Sequence, residues 1–418
     1  MLKKLYIHNF KSFYHSHFEF GKLNCLIAPN NTGKSNLIEA IEFIDNLLFK
    51  LDSEKLNFKT NFRYQEQNTV FQAEFEVSNR VLVFNELIDY KIVVIFDISI
   101  GETNNIDVNI NGSMKSIDVP DDDKIVDYFN YFMLRAYGDE LVNTIKNYSD
   151  YSEKLDKKRY SKFSFQYNHT TFNYILESNR NTQATISNLL GLTLNNTKNI
   201  IKPIDFSKIF GRGSIFESHY FHSYMMKEKQ IMPKTSTLNK FGTNLISFIN
   251  GLDDETIEDI STSLIGEVEQ VNGIEISDEA HKRLYFIEDE YKVPLEETSD
   301  GTAHFIAIMS AILGNKNSIA LMIEEPERHM HMKVLSTIIE TMRDDDKQIF
   351  FTTHSMEILQ ELNLDEILFL YRDYDSNTQG KRAKDIDNIK KLMKIYKNDL
   401  VEILKIGILD DLNLEEES

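Results

Sequence analysis

Residues 23 to 48 constrain the fold more than any other stretch of the chain. Leu23–Ile27 is a short apolar run, the eight residues Ala28-Pro29-Asn30-Asn31-Thr32-Gly33-Lys34-Ser35 follow it, and Leu37, Ile41, Ile44 and Leu48 then recur at helical spacing. Strand, glycine-containing loop and helix in immediate succession form the context in which Gly-Lys-Ser marks a phosphate-binding loop. Free N–H groups and the helix dipole at such a junction attract negative charge. Asn30, Asn31, Thr32, Gly33, Lys34, Ser35 and Asn36 are therefore the candidate nucleotide-binding residues. Gly33 lets the backbone come close to a phosphate. Lys34 brings a positive charge to the β- and γ-phosphates and counts among the candidate catalytic residues, and the Ser35 hydroxyl suits Mg²⁺. ATP and Mg²⁺ are the ligands this chemistry calls for. Ala28 replaces the glycine that usually opens the pattern, which is compatible with the loop if its backbone stays in an ordinary region.

A second apolar strand, Ser318 to Ile323, ends in Glu324-Glu325-Pro326-Glu327. In open α/β sheets, strand C-termini gather at the edge where ligands bind. Glu324 is the candidate metal residue, and Glu325 the candidate general base for an attacking water. A helical pattern from Lys333 to Met342 leads to a third buried strand, Gln348 to Thr352, completing a βαβ unit. His354 lies just past that strand, where a residue sensing the γ-phosphate would stand. Thr298-Ser299-Asp300-Gly301-Thr302 precedes a helix predicted over His304 to Leu313. A Ser-x-Gly turn at a helix start is a candidate second anion site, through Ser299 and Gly301, and equally an ordinary helix cap.

Together these segments resemble the ABC-type ATPases of the RecF, SMC and OLD (overcoming lysogenisation defect) class, above all the stand-alone AAA-type ATPases of prokaryotic defence loci. Leu5 to Phe13 is similar to that family's first strand, Ser299 to Thr302 to its signature motif, Glu324 to Glu327 with His329 and His331 to its acidic motif and D-loop, and Thr352 to Ser355 to its switch. The resemblance implies an α/β P-loop fold: an ABC-ATPase-like head with a mixed or parallel central sheet, an antiparallel strand-rich lobe and an inserted, mainly helical lobe. It also implies Mg-dependent ATP hydrolysis in a homodimer or higher homo-oligomer, with Ser299 of one subunit completing the site of the other. An effector protein, often a nuclease in such systems, is the implied partner, in defence against phage or foreign DNA. The alternatives are a RecF- or SMC-like repair ATPase acting directly on DNA, and a non-hydrolysing nucleotide sensor. The 63 residues after Ser355 leave no room for the Toprim nuclease domain of OLD proteins. Gln72 is the candidate for the glutamine that couples the γ-phosphate to the other lobe.

Texture divides the chain into the first part of the head (1–120), an insertion expected to be helical (121–240) and the rest of the head (241–418). A formal charge of −20 argues against coating nucleic acid with the whole surface. One local patch remains compatible with it: Lys154, Lys157, Lys158, Arg159 and Lys162 interleave with Tyr151, Tyr160, Phe163 and Phe165, a pattern fitting single-stranded nucleic acid or a solvated helix face over buried aromatics. Lys381, Arg382 and Lys384 form a smaller such patch. No signal-peptide pattern opens the chain, no apolar run of about 18 residues suggests a membrane span, and the single cysteine, Cys25, reads as an inert buried thiol. A cytoplasmic protein with no membrane partner is the expectation. Asp373-Tyr374-Asp375 reads as a solvated loop, and the acid runs at 121–123 and 344–346 and the tail from Leu412 as solvated segments.

Overall fold

A computed structural model describes residues 1–50, 63–64, 67–83, 86–100, 108–118, 160–168, 171–178, 214–227, 234–265, 267–268, 270–277, 282–289, 291–355, 358–387, 389, 391 and 395. Elements are labelled in chain order. The chain forms two compact units, one of 1–19, 43–213 and 377–379, the other of 20–42, 214–376 and 380–418.

The first unit is built on an antiparallel sheet of seven strands: β1 (Leu2–His8), β2 (Ser16–Glu19), β4 (Thr69–Val83), β5 (Glu86–Ile100), β6 (Val108–Asp118), β7 (Tyr160–Asn168) and β8 (Thr171–Ser178), in the order β2-β1-β4-β5-β6-β7-β8. Alternation produces it: Phe71, Ala73, Phe75 and Val77 are buried on one face of β4, and the polar residues between them are not. Phe10, Phe43 and Phe71 meet with ring centroids 5.2 to 5.5 Å apart. β7 and β8 are strands within the insertion expected to be mainly helical, most of which lies outside the described residues. Tyr160, Phe163, Phe165 and Tyr167 fall largely at a spacing of two, a strand period, so the described part of the basic and aromatic stretch is strand rather than helix face. Lys154, Lys157, Lys158 and Arg159, the acids at 121–123 and the tail from Leu412 lie outside the described residues.

The second unit holds a six-stranded sheet that joins Leu23–Ile27, from the start of the chain, to strands from residue 214 onward. Its order is β16-β15-β3-β14-β13-β9, with β3 (Leu23–Ile27), β9 (Ser214–His219), β13 (Ser318–Glu324), β14 (Gln348–Thr352), β15 (Ile367–Arg372) and the edge strand β16 (Thr378–Arg382). β9, β13, β14, β3 and β15 pair in parallel, and their runs are apolar because both sheet faces are covered. Around them stand α1 (Lys34–Asp45), the short α2 (Ser223–Met226) and α3 (Leu245–Ile249), α4 (Asp254–Leu264), α5 (Asp300–Gly314) and α6 (Met332–Asp344). α6 is the crossover of the predicted βαβ unit and buries Leu335, Ile338, Ile339 and Met342. A separate antiparallel sheet joins β10 (Val271–Ile276), β11 (Leu284–Glu288) and β12 (Tyr291–Pro294).

The α/β class and the pairing of a parallel sheet with antiparallel strands match the sequence. Cys25 is fully buried and burial pushes its thiol up, as an inert thiol requires. Arg382 departs from the reading of a basic surface patch: it is buried, and its guanidinium donates to the Asp365 carbonyl at 3.0 Å and to Asn24 Oδ1. Asp345 is no solvated acid either, since it pairs with the buried Lys347 at 2.8 Å. No helix among the described residues is long and apolar enough to cross a membrane.

Candidate functional site

The register of the parallel sheet decides which residues meet. Glu324 lies opposite Thr352, and Thr352 lies opposite Leu26. The loops leaving β3, β13 and β14 therefore start side by side at one sheet edge and carry, in turn, Lys34, Glu325 and His354. β9 adds a fourth: Ile323 faces His219, so Tyr220 leaves at the same edge.

In the first loop, Asn31 (φ 64°) and Gly33 (φ 119°) take left-handed backbone angles. Asn tolerates that region better than most side chains and Gly without cost. Ala28 is not among the positive-φ residues, which is the condition that lets alanine stand there. Lys34 Nζ donates to the Ala28 carbonyl at 2.7 Å, and Arg372 of β15 donates to the Asn31 carbonyl at 2.8 Å. Partial burial lowers the Lys34 ammonium, opposed by the negative charge of Glu325. Asn30, Asn31 and Ser35 are exposed, and Thr32 is buried with its N–H on the Pro29 carbonyl at 3.3 Å. Asn36 sits in the first turn of α1.

Glu324 ends β13, and its carboxyl is pushed up by burial and, more weakly, by Glu42 and Glu325, with Lys240 opposing. The Glu324 carboxylate and the Ser35 hydroxyl offer oxygen donors, the kind hard cations take. The expected Mg²⁺ residues therefore fit such an ion. Glu325 has φ 49°, unusual for a side chain of its size, and is held there by its N–H, which reaches Thr352 O at 3.1 Å and Thr352 Oγ1 at 3.3 Å. Its Oε1 stands 3.9 Å from His354 Nε2. Glu327 ties the two loops together by accepting from Thr353 Oγ1 at 2.8 Å and from the His354 N–H at 2.9 Å.

Ser299 caps α5: its Oγ accepts from Thr302 N at 3.0 Å, so within one chain it serves the helix and not the phosphate loop. Lys227 braces this turn, donating to the Thr298 carbonyl and to Asp300, each at 2.7 Å, which holds the Asp300 carboxyl below its usual range. A Cβ added to Gly301 would lie 2.6 Å from the His329 carbonyl oxygen, so the turn packs directly on the loop after Glu325. Gly301→Ala is expected to force that loop away and to lower kcat about tenfold, with a smaller effect on ATP affinity. Steady-state kinetics beside equilibrium nucleotide binding would check it, and unchanged kcat would show that the contact does not matter. His329 and His331 belong to the same loop, and among the described residues no group of three or more His, Cys, Asp or Glu could hold a metal. Gln72 lies on β4 in the first unit, its amide donating to Asp97 at 2.6 Å.

Sequence reasoning placed Lys34, Glu324, Glu325 and His354 at one edge. It passed over Tyr220 and Arg372, because no motif spacing connects β9 or β15 to the acidic loop, and Arg328, which lies within that loop but whose side-chain partners no local pattern shows. Arg328 Nη2 lies 3.3 Å from Glu325 Oε2, and its Cζ stands 5.0 Å from the centre of the Tyr220 ring.

The family model described as "AAA domain, putative AbiEii toxin, Type IV TA system" matches residues 23–360. A Helicobacter pylori protein named as an ATP/GTP phosphatase is 22% identical over 373 residues, which cover 87% of this chain and 88% of that protein. An uncharacterized protein of Methanocaldococcus jannaschii is 32% identical over 71 residues, 16% of this chain and 18% of its own length. Among solved structures, the SMC head domain from Thermotoga maritima is similar at 14% identity and a TM-score of 0.41, over 91% of this chain and 98% of that one. An SMC head bound to the C-terminal winged-helix domain of ScpA is similar at 13% identity and a TM-score of 0.43, over 91% and 97%.

Proposed function

The chain belongs to this family of AAA domains and is an ATPase, and on that premise we propose that ATP controls its assembly into a dimer that acts on an effector protein. The observation that carries the catalytic part is the convergence of Lys34, Glu324, Glu325 and His354 at one sheet edge, with Glu325 Oε1 3.9 Å from His354 Nε2. The residues from Asn30 to Asn36 receive the phosphates, and Lys34 exchanges its Ala28 carbonyl for phosphate oxygens. Glu325 orients the attacking water and takes its proton, while His354 faces the same reacting oxygen from the switch loop. Ser35 and Glu324 would hold Mg²⁺, which when bound offsets the charge that develops on the phosphates.

The dimer rests on Ser299. Its hydroxyl sits exposed at the start of a 15-residue helix, where free N–H groups suit a phosphate, and among the described residues of its own chain it makes cap contacts with Thr302. Tyr224 (76% exposed) and Met225 (38%) of α2, close before Lys227, leave apolar surface beside that turn. The family's description names a putative toxin of a type IV toxin–antitoxin system, which supports a role in defence.

Light scattering tests this reading. Glu325→Gln with Mg-ATP is expected to double its mass, and adding Ser299→Arg is expected to prevent the shift without loss of nucleotide binding. A mass indifferent to bound ATP would overturn the ATP-gated dimer. Turnover stimulated by DNA alone, with no partner protein, would instead favour a repair ATPase.

A further inference from the structure

We propose that Arg328 is the positioning residue of the general base, with the Tyr220 ring as its brace; this rests on the assignment of Glu325 above. Glutamate has three side-chain torsions, and at a half-exposed sheet edge nothing in its own backbone selects one orientation. Two contacts do so here. The Arg328 N–H donates to the Glu325 carbonyl at 3.1 Å, closing the turn, and the Arg328 guanidinium reaches back to Glu325 Oε2 at 3.3 Å. One oxygen is thereby taken by a cation, and the other, Oε1, is left facing His354 at 3.9 Å. The base thus presents a chosen oxygen to the side from which the switch histidine approaches.

An arginine on so short a turn could itself swing away. Its Cζ lies 5.0 Å from the centroid of the Tyr220 ring, within cation–π range, and a planar guanidinium against a ring keeps its donors directed in the ring plane. Tyr220 is fixed in turn: its N–H donates to the Lys240 carbonyl at 2.7 Å, and its ring meets His222 edge-on at 4.7 Å. The chain from β9 through Tyr220 and Arg328 to Glu325 is contiguous within one unit. A half-exposed ion pair contributes little to stability, so the contact's effect is on geometry.

The test is steady-state ATP hydrolysis by Arg328→Ala, Arg328→Lys, Tyr220→Phe and Tyr220→Ala, beside nucleotide binding and thermal melting. Arg328→Ala is expected to lose about tenfold in kcat with KM for ATP little changed, since the base still binds nothing in the ground state. Arg328→Lys should recover part of the loss, because an ammonium keeps the charge without the planar fork. Tyr220→Phe, which keeps the ring, should lose less than Tyr220→Ala, which should fall towards Arg328→Ala. Arg328→Ala combined with Glu325→Gln should be no slower than Glu325→Gln alone, because there is then no base to position. Parent-like or faster turnover in a folded Arg328→Ala would overturn the proposal, as would losses that multiply in the double variant. If Glu325→Gln itself turns over normally, the assignment of the base fails first, and the two failures are told apart.

Discussion

Glu325→Gln is expected to lower ATP turnover by about 10²- to 10⁴-fold while ATP still binds. The substitution keeps the size of the side chain and its partners on the backbone, where the N–H at 325 donates to Thr352 O at 3.1 Å and Thr352 Oγ1 at 3.3 Å. What it removes is the ability to accept a proton from water. Phosphate release at saturating ATP, beside equilibrium binding of a fluorescent nucleotide, separates the two effects. A Gln variant retaining more than about a tenth of the parent's turnover would place the base elsewhere and leave the acidic loop as a metal and assembly element.

Acidification is expected to destabilise the second unit well before its carboxylates titrate. His219 and His304 are each 1% exposed, and burial, the largest cause in both, lowers their rings to about 4. The Glu325 backbone opposes that shift at His304, and the Asn239 carbonyl, 3.3 Å from Nδ1, opposes it at His219. In the unfolded chain each titrates near 6.5. Between those values the unfolded state binds one more proton per histidine, so stability is full above about pH 6.5 and is lost as pH falls towards 4. At pH 5 the loss is about 2 kcal/mol for each ring, about 4 kcal/mol together. Both rings touch Phe221, at 5.2 and 6.1 Å between centroids, so their effects should couple. Urea midpoints at pH 7.5 and pH 5 measure the loss, and replacing both residues by Leu should remove most of the difference. A midpoint unchanged between those pH values would show that the unfolded reference or the burial of these rings is misassigned.

His304 also shows how the signature turn and the acidic loop share one structural unit. Gly301 and His304 are three residues apart on α5 and so lie on one helix face; Gly301 abuts the His329 carbonyl, and His329 and Arg328 disfavour a positive charge on the His304 ring. A phosphate bound at Ser299 would press on the loop that holds Glu325 of the same chain. That arrangement gives the proposed dimer a physical route from one nucleotide to the other.

The sequence by itself determined the strand, loop and helix around Gly33 and Lys34, the acids that end β13, the histidine just past β14 and the parallel strands that carry them. Each is a local pattern: apolar runs covered on both faces, a glycine before a lysine at a helix start, acids where a strand stops. It also determined that Ala28 is tolerable, which its ordinary backbone angles bear out. The strands from 160 to 178 were less legible, because the spacing of two holds over only a few positions (Phe163, Phe165, Tyr167) next to a lysine-rich stretch that also fits a solvated helix face. Only the tertiary structure decided that β9 lies beside β13, because pairing between strands about a hundred residues apart depends on register and leaves no spacing in the chain. That register brings Tyr220 beside Arg328, which its own short turn already holds against Glu325. It likewise turned Arg382 from an apparent surface cation into a buried donor to Asn24, since only the packed unit shows which charges have partners.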